Sequence, residues 1–408
     1  MKKVVGGVTV PKGFKAAGEH VGLKRKRKDL AILMSEVPAT VAGVFTTNVV
    51  KGAPVVWSQK VATAGTPIKA VIINSGHANS CTGEEGYVNC VAMAEATAEA
   101  LGCEPEHVCV ASTGYIGVQL PIDKIKAGIP VVAGLLDNTE AMGTACAEAI
   151  RTTDVFTKEI AFELEIGGTT VMIGGMAKGS GMVHPNMATM LAFVTTDLNI
   201  TQELLSKAMK ESVSTTYNMI SVDGDTSTND MALVFANGLA GNELIESADD
   251  EGYKIFAHAL HTVNTHLAKL VARDGEGATK FVEVSIVGSE SREDAQKLAK
   301  CVVSSSLVKT AMFGEDANWG RIIAALGRGG VQFDPAKLSI WFASDGGQLP
   351  LMANGQPLIV EPADAQKVLS EKDIRIGIDL KSGGLSEATA WGCDLSYDYV
   401  RINGAYGK

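Results

Sequence analysis

The apolar run Met190-Leu191-Ala192-Phe193-Val194 follows, with no polar linker, on a glycine-loosened approach, Lys178-Gly179-Ser180-Gly181-Met182-Val183-His184-Pro185-Asn186-Met187-Ala188-Thr189. A domain boundary is normally exposed and rich in Pro, Gly and polar residues, whereas here methionines lead straight into a buried strand. The segment is therefore expected inside one packed body. It also sets a threonine directly after a small residue at the mouth of that strand. The Thr189 hydroxyl can attack the carbonyl of Ala188, move the acyl group from nitrogen to oxygen and leave an ester that water hydrolyses. Thr189 would then own a free α-amine titrating at about 7.7, able to take the proton of its own hydroxyl and serve as general base. The local pattern alone favours a plainer reading, a β-branched residue opening a buried strand.

The rest of the chain points to an enzyme of the cytoplasm. Its 408 residues, 46% of them hydrophobic, suffice for a large core and for about two or three domains. No run approaches the ~18 to 20 continuous apolar residues that cross a bilayer. Met1-Lys2-Lys3 leads into an apolar stretch too short and too glycine-broken for a signal peptide, so secretion is not expected. Seven scattered cysteines without a Cys-x-x-Cys pair read as reduced thiols, neither a disulfide frame nor a zinc site. A net charge of −10 disfavours nucleic acid as a partner. The basic run Lys24-Arg25-Lys26-Arg27-Lys28, partly neutralised by Asp29, reads as a solvated face.

Helical and strand patterns alternate with no repeat. Helical spacing marks 88–101, 139–150, 202–213 and 293–302. Strands are expected at 69–73, 107–110, 281–287, 338–342 and 374–380, with a hairpin over 160–173 that turns at Gly167-Gly168. Hairpins mixed with helices predict an α+β fold of layered sheets flanked by helices.

Several blocks in order carry a more specific signal: Phe45-Thr46-Thr47-Asn48, Asn74-Ser75-Gly76, Ala111-Ser112-Thr113-Gly114, Thr152-Thr153-Asp154, Ala188-Thr189-Met190-Leu191, the run from Asp223 to Asp230, the run from Asp274 to Lys280, and Asp316-Ala317-Asn318-Trp319-Gly320-Arg321. Over nearly the whole chain the sequence resembles the bifunctional ornithine acetyltransferase, or glutamate N-acetyltransferase, family of arginine biosynthesis. The resemblance implies an autoprocessed fold of stacked sheets and helices in which the nucleophilic threonine opens a central strand. It implies a cut between Ala188 and Thr189 that gives an alpha chain, 1–188, and a beta chain, 189–408, two halves of one body assembling as two copies of each. The implied reaction carries acetyl from N2-acetylornithine to glutamate through an acetyl-threonine ester, with no cofactor. Members with and without use of acetyl-CoA share these motifs, so that second donor stays open.

The implied site maps onto this chain residue by residue. Thr189 is the nucleophile, and Thr113 and Gly114 stabilise the oxyanion; on the sequence they read as a glycine turn after a strand ending at Val110, where backbone amides make suitable donors. Thr152, Lys178, Thr189, Glu276 and Asn403 bind substrate, with Lys178 suited to a carboxylate and Glu276, between two glycines, to an ammonium group or a proton transfer. The family usually closes on Asn-x-x-Tyr-x-Thr or Ser, whereas this chain closes on Asn403-Gly404-Ala405-Tyr406-Gly407-Lys408. Lys408 replaces the terminal hydroxyl, which puts that last contact in doubt.

Other constellations fail. His258, His261 and His266 lack a His-Glu-x-x-His pattern, and Asp223-x-Asp225-x-Ser227 lacks the glycine and glutamate of a calcium loop, so no metal is expected. No phosphate-binding glycine motif follows a strand. Against the transferase stand an amidohydrolase or aminopeptidase using the same nucleophile with water as acceptor, and a non-catalytic binding protein that keeps the fold.

Overall fold

The computed structural model describes residues 1–184 and 190–405. The chain divides into two compact units, one from 1–179, 185–217 and 226–267, the other from 180–184, 218–225 and 268–408. Each unit draws residues from both sides of the 188/189 bond.

Among the described residues, the first unit holds a nine-stranded sheet. Its order is Lys2–Val4, Lys158–Ile166, Thr169–Lys178, Leu191–Thr196, Met231–Ala236, Leu30–Phe45, Ile68–His77 and Val108–Tyr115, with Phe14–Glu19 added on Leu30–Phe45. The long strand Leu30–Phe45 changes partners along its length. Its first part pairs with Phe14–Glu19 and Ile68–His77, its last part with Met231–Ala236, and its register with Ile68–His77 shifts between Met34 and Ala39. Pro38 lies in that interval, where a residue without an N–H can sit only because the ladder is already broken.

Leu191–Thr196 is the strand that the apolar run predicts. It runs antiparallel to Thr169–Lys178 and parallel to Met231–Ala236, and all six of its residues are buried. A strand covered on both faces and flanked on both edges needs unbroken apolar sequence, which Leu191-Ala192-Phe193-Val194 supplies. The neighbouring hairpin turns at Gly167 and Gly168, both with positive φ (58° and 78°), as a two-residue turn matched to strand twist requires. The helix expected at 88–101 begins earlier, at Gly83, where Glu84 and Glu85 in its first turn complement the helix dipole despite the glycines.

Among the described residues, the second unit holds a seven-stranded sheet in the order Gln356–Pro357, Gly347–Ala353, Ser339–Ser344, Asp373–Asp379, Phe281–Ser289, Ser386–Cys393, Ile220–Ser221. Val282, Val284 and Ile286 from one strand and Ile374, Ile376 and Ile378 from its parallel neighbour are buried at alternate positions, the pattern of a sheet covered on one face. Helix Arg292–Val303 buries Ala295, Leu298, Ala299, Val302 and Val303; the side chain of its N-cap Ser291 accepts a hydrogen bond from the Asp294 amide. The α+β reading stands. All seven cysteines are free thiols, and no helix among the described residues is long and apolar enough to cross a membrane.

Phe193 is fully buried in the central strand. Phe193→Ala should lower unfolding stability by about 3–5 kcal/mol, the cost of a core aromatic cavity, read from the urea midpoint at unchanged slope.

Candidate active site

In the first unit, strands Ile68–His77 and Val108–Tyr115 run parallel and in register as far as Gly76 opposite Gly114, where the ladder breaks and His77 pairs with both Thr113 and Tyr115. The turn expected after Val110 is therefore absent. The strand continues to Tyr115, and Thr113-Gly114 forms its irregular end. Buried amide side chains hold the polar stretch extended: Asn74 Oδ1 accepts from Ser112 Oγ at 2.5 Å, and Asn229 Nδ2 donates to the carbonyls of Ser112 and Ala78 at 3.0 and 2.5 Å. Gly114 has φ +135°, and a Cβ there would lie 2.2 Å from the Gly76 carbonyl carbon, so only glycine lets the two backbones approach.

Lys178 ends strand Thr169–Lys178 and is nearly buried. Its Nζ donates to Thr152 Oγ1 at 2.9 Å and to Thr113 Oγ1 at 3.3 Å. Three residues far apart in sequence, Thr113, Thr152 and Lys178, thus share one corner. Asp154, which sequence reading left without a role, organises it. One carboxylate oxygen accepts from Lys158 Nζ and from the Gly179 amide, both at 2.8 Å, and the other from the Thr152 amide at 3.0 Å. Burial opposes the charged form, yet the Lys178 and Lys158 ammonium groups together hold the Asp154 carboxyl below the usual carboxylate range.

The expectation of a solvated basic face fits Arg25, Lys26 and Arg27, which are exposed; Lys28 is partly buried and pairs with Glu148, and Lys24 is partly buried as well. Lys24 Nζ donates to the Arg151 carbonyl at 2.9 Å, beside Thr152, and Arg27 Nη1 donates to the Thr152 carbonyl at 3.2 Å. A charge run gives no hint of which member turns inward; only the turn made by Asp29 decides it.

The second unit carries the other candidates. The Glu276 amide donates to the Ser180 carbonyl at 2.9 Å, and Ser180 Oγ to the Asp274 carbonyl at 2.6 Å. The Glu276 carboxylate, buried, accepts from Asn403 Nδ2 at 2.7 Å. It lies so close over Gly181 that a Cβ there would stand 2.4 Å from the carboxylate carbon. Asp223 accepts from the amides of Met182 and Val183 at 2.6 and 2.8 Å, Met182 being held at φ +53°. His184 Nδ1 meets Ser221 Oγ at 2.9 Å; burial, then the charge of Lys300, pushes its pKa down to about 4, so this imidazole is neutral at pH 7. Tyr399, on the same C-terminal helix Tyr397–Gly404 as Asn403, has its phenol pushed up by burial and by the charge of Asp223. Asp223 and Tyr399 were not predicted as site residues; the dense Asp-Gly-Asp block was the available signal. Ala188, Thr189 and Lys408 lie outside the described residues. Among the described residues no group of three or more His, Cys, Asp or Glu side chains is arranged to hold a metal ion.

Residues 15–408 match the model of the ArgJ family. The chain belongs to the ArgJ family. Arginine biosynthesis bifunctional protein ArgJ of Symbiobacterium thermophilum is 53% identical over 409 residues, covering 100% of both chains. The ArgJ of Thermotoga neapolitana is 50% identical over 398 residues, 97% of this chain and 99% of its own. A solved structure of ornithine acetyltransferase complexed with ornithine from Mycobacterium tuberculosis is 44% identical over 45% of this chain and 96% of that one, with a TM-score of 0.42.

Within this ArgJ-family chain, Asp154→Asn keeps the shape of the residue but leaves the fully buried Lys158 without its carboxylate. The variant should lose about 3–5 kcal/mol at neutral pH. Because the folded-state pKa of Asp154 lies below its unfolded value, the wild type's advantage is complete above pH ~4 and should shrink as pH falls further. Urea midpoints of the two proteins across the acid range test both statements.

Proposed function

We propose that the protein is a glutamate N-acetyltransferase that cuts its own chain between Ala188 and Thr189 and then carries acetyl from N2-acetyl-L-ornithine to L-glutamate on Thr189. The observation that carries this reading is the Ala188-Thr189-Met190-Leu191 block in a chain that matches the ArgJ family from residue 15 to its last residue.

In the first half-reaction the Thr189 hydroxyl attacks the acetyl carbonyl while its own α-amine takes the proton. The tetrahedral oxyanion is held by backbone amides at Thr113 and Gly114. Loss of one such donor typically costs on the order of 10²–10³ in rate. Collapse breaks the amide C–N bond, and ornithine leaves with the proton on its amine, giving the acetyl-threonine ester. In the second half-reaction the amine of glutamate attacks that ester, and the hydroxyl of Thr189 is regenerated. By the family resemblance, Lys178 is assigned to a substrate carboxylate, Glu276 to an ammonium group or a proton transfer, and Thr152 and Asn403 to substrate binding; Glu276 accepts a hydrogen bond from Asn403. The scheme uses no cofactor. The relatives' name, bifunctional, supports a second activity, and we extend the proposal to acetyl-CoA as a second acetyl donor feeding the same threonine.

The pieces 1–188 and 189–408 remain associated after cleavage on this reading. Strands Thr169–Lys178 and Leu191–Thr196, one from each piece, are hydrogen-bonded neighbours in one sheet, and Asp223 of the second piece accepts from the amides of Met182 and Val183 of the first. We extend the proposal to two copies of each piece in the assembly.

Intact-mass spectra should show two co-purifying fragments for the wild type and one uncut chain for Thr189→Ala. Mixing the mature protein with N2-acetylornithine alone should add one acetyl group to the fragment that begins at Thr189, with a burst of ornithine; glutamate should then discharge it as N-acetylglutamate. Cleavage in the alanine variant, or steady acetate release indifferent to glutamate, would overturn the reading, the latter in favour of the hydrolase.

A further inference from the structure

The turn 20–29 is built around one buried carboxylate. Asp29 accepts from the amides of Val21, Leu23 and Lys24 at 2.7, 2.7 and 2.8 Å, and meets His20 Nδ1 at 3.0 Å. Gly22, at φ +92°, lets the chain wrap that closely. The turn delivers Lys24. Its stem lies against Gly76, the strand partner of Gly114, where an added Cβ would stand 3.2 Å from Lys24 Cγ, and its Nζ reaches the Arg151 carbonyl beside Thr152. Lys24 therefore stands in the same corner of the first unit as Thr113, Thr152 and Lys178.

Around Lys24 itself the cations outnumber the acids. The charged groups acting on Lys24 are one carboxylate, Asp29, and three cations, Arg27, Lys178 and Arg151. Asp29 is already engaged by backbone amides. Burial first, and then these cations against the opposing pull of Asp29, bring the pKa of Lys24 down to about 8, so at neutral pH it is still mostly an ammonium group in a place that disfavours one. An anionic ligand group arriving beside Lys24 would offset this excess of positive charge. The two amino acids of the proposed reaction differ in this respect. Acetylornithine has one carboxylate and a side-chain ammonium group, whereas glutamate and its acetylated product have two carboxylates. Lys178 suffices for the α-carboxylate that both substrates share.

Building on the acetyltransferase reading, we infer that Lys24 is the specificity residue that holds the side-chain carboxylate of glutamate. The test compares glutamate with glutamine, which has the same shape without the charge, as acceptors from N2-acetylornithine for the wild type, Lys24→Met and Lys24→Arg. The wild type should prefer glutamate. Lys24→Met should reduce the glutamate-to-glutamine ratio of kcat/KM by about 10- to 100-fold, the range of one hydrogen bond to a charged group. The loss should fall mainly on the KM for glutamate, and Lys24→Arg should restore part of the ratio. A merely structural role would slow both acceptors alike, so an unchanged ratio in a mature Lys24→Met protein overturns the inference. If Lys24→Met does not mature, Lys24→Gln is read in the same way; failure of both to mature assigns Lys24 to folding and also overturns it. A wild type without an ornithine burst would instead sink the acetyltransferase reading, so the two failures are distinguishable.

Discussion

Asp154 is the interaction on which the first unit's corner depends. An unpaired carboxylate taken fully out of water costs several kcal/mol, and this one is offset by Lys158, by the nearby Lys178 and by two backbone amides. Buried ion pairs seldom add net stability over an apolar replacement. What this one supplies is placement. Its two oxygens fix the amide of Thr152 and the amide of Gly179, the residue after Lys178, so the hydroxyl and the ammonium that meet at 2.9 Å are both set by one rigid anchor. Asp29 does the same for Lys24, again by accepting backbone amides around a buried carboxylate. The molecule spends buried acids on geometry, fixing the backbone on either side of the cations in this corner.

Close backbone approach is the second constraint. Gly114 lies against Gly76 with no room for a Cβ, and Gly181 lies under the Glu276 carboxylate in the same way. The absent side chain lets another backbone approach in the first case and a carboxylate in the second, nearer than any other residue would allow. These glycines differ from those of Gly167-Gly168, which meet open space and serve only the hairpin turn.

In the second unit the segment 180–184 is held from several directions: through its backbone by Glu276, Asp223 and Val222, and through the side chains of Ser180 and His184 by Asp274 and Ser221. The C-terminal helix adds Asn403 on Glu276 and Tyr399 beside Asp223. A stretch that reads in sequence as a loose glycine loop is, from Ser180 to His184, hydrogen-bonded through both backbone and side chains. Gly181 is there for clearance, not for slack.

The sequence alone determined the elements whose signals are local. The hairpin at Gly167-Gly168, the apolar central strand and the helices at 140–149, 202–215 and 292–303 follow from periodicity and turn chemistry, which neighbouring residues settle among themselves. It also determined the family, through motif blocks that survive as text. It did not determine that Val108–Tyr115 runs on past Val110, because what keeps Ser112 to Gly114 extended is Asn74 and Asn229, 38 and 117 residues from Ser112. Nor did it separate Lys24 from the exposed Arg25 and Lys26, or find Asp154 beneath Thr152 and Lys178. Those assignments depend on which long-range partner satisfies a buried charge or amide, and burial is a property of the folded chain that no local pattern carries.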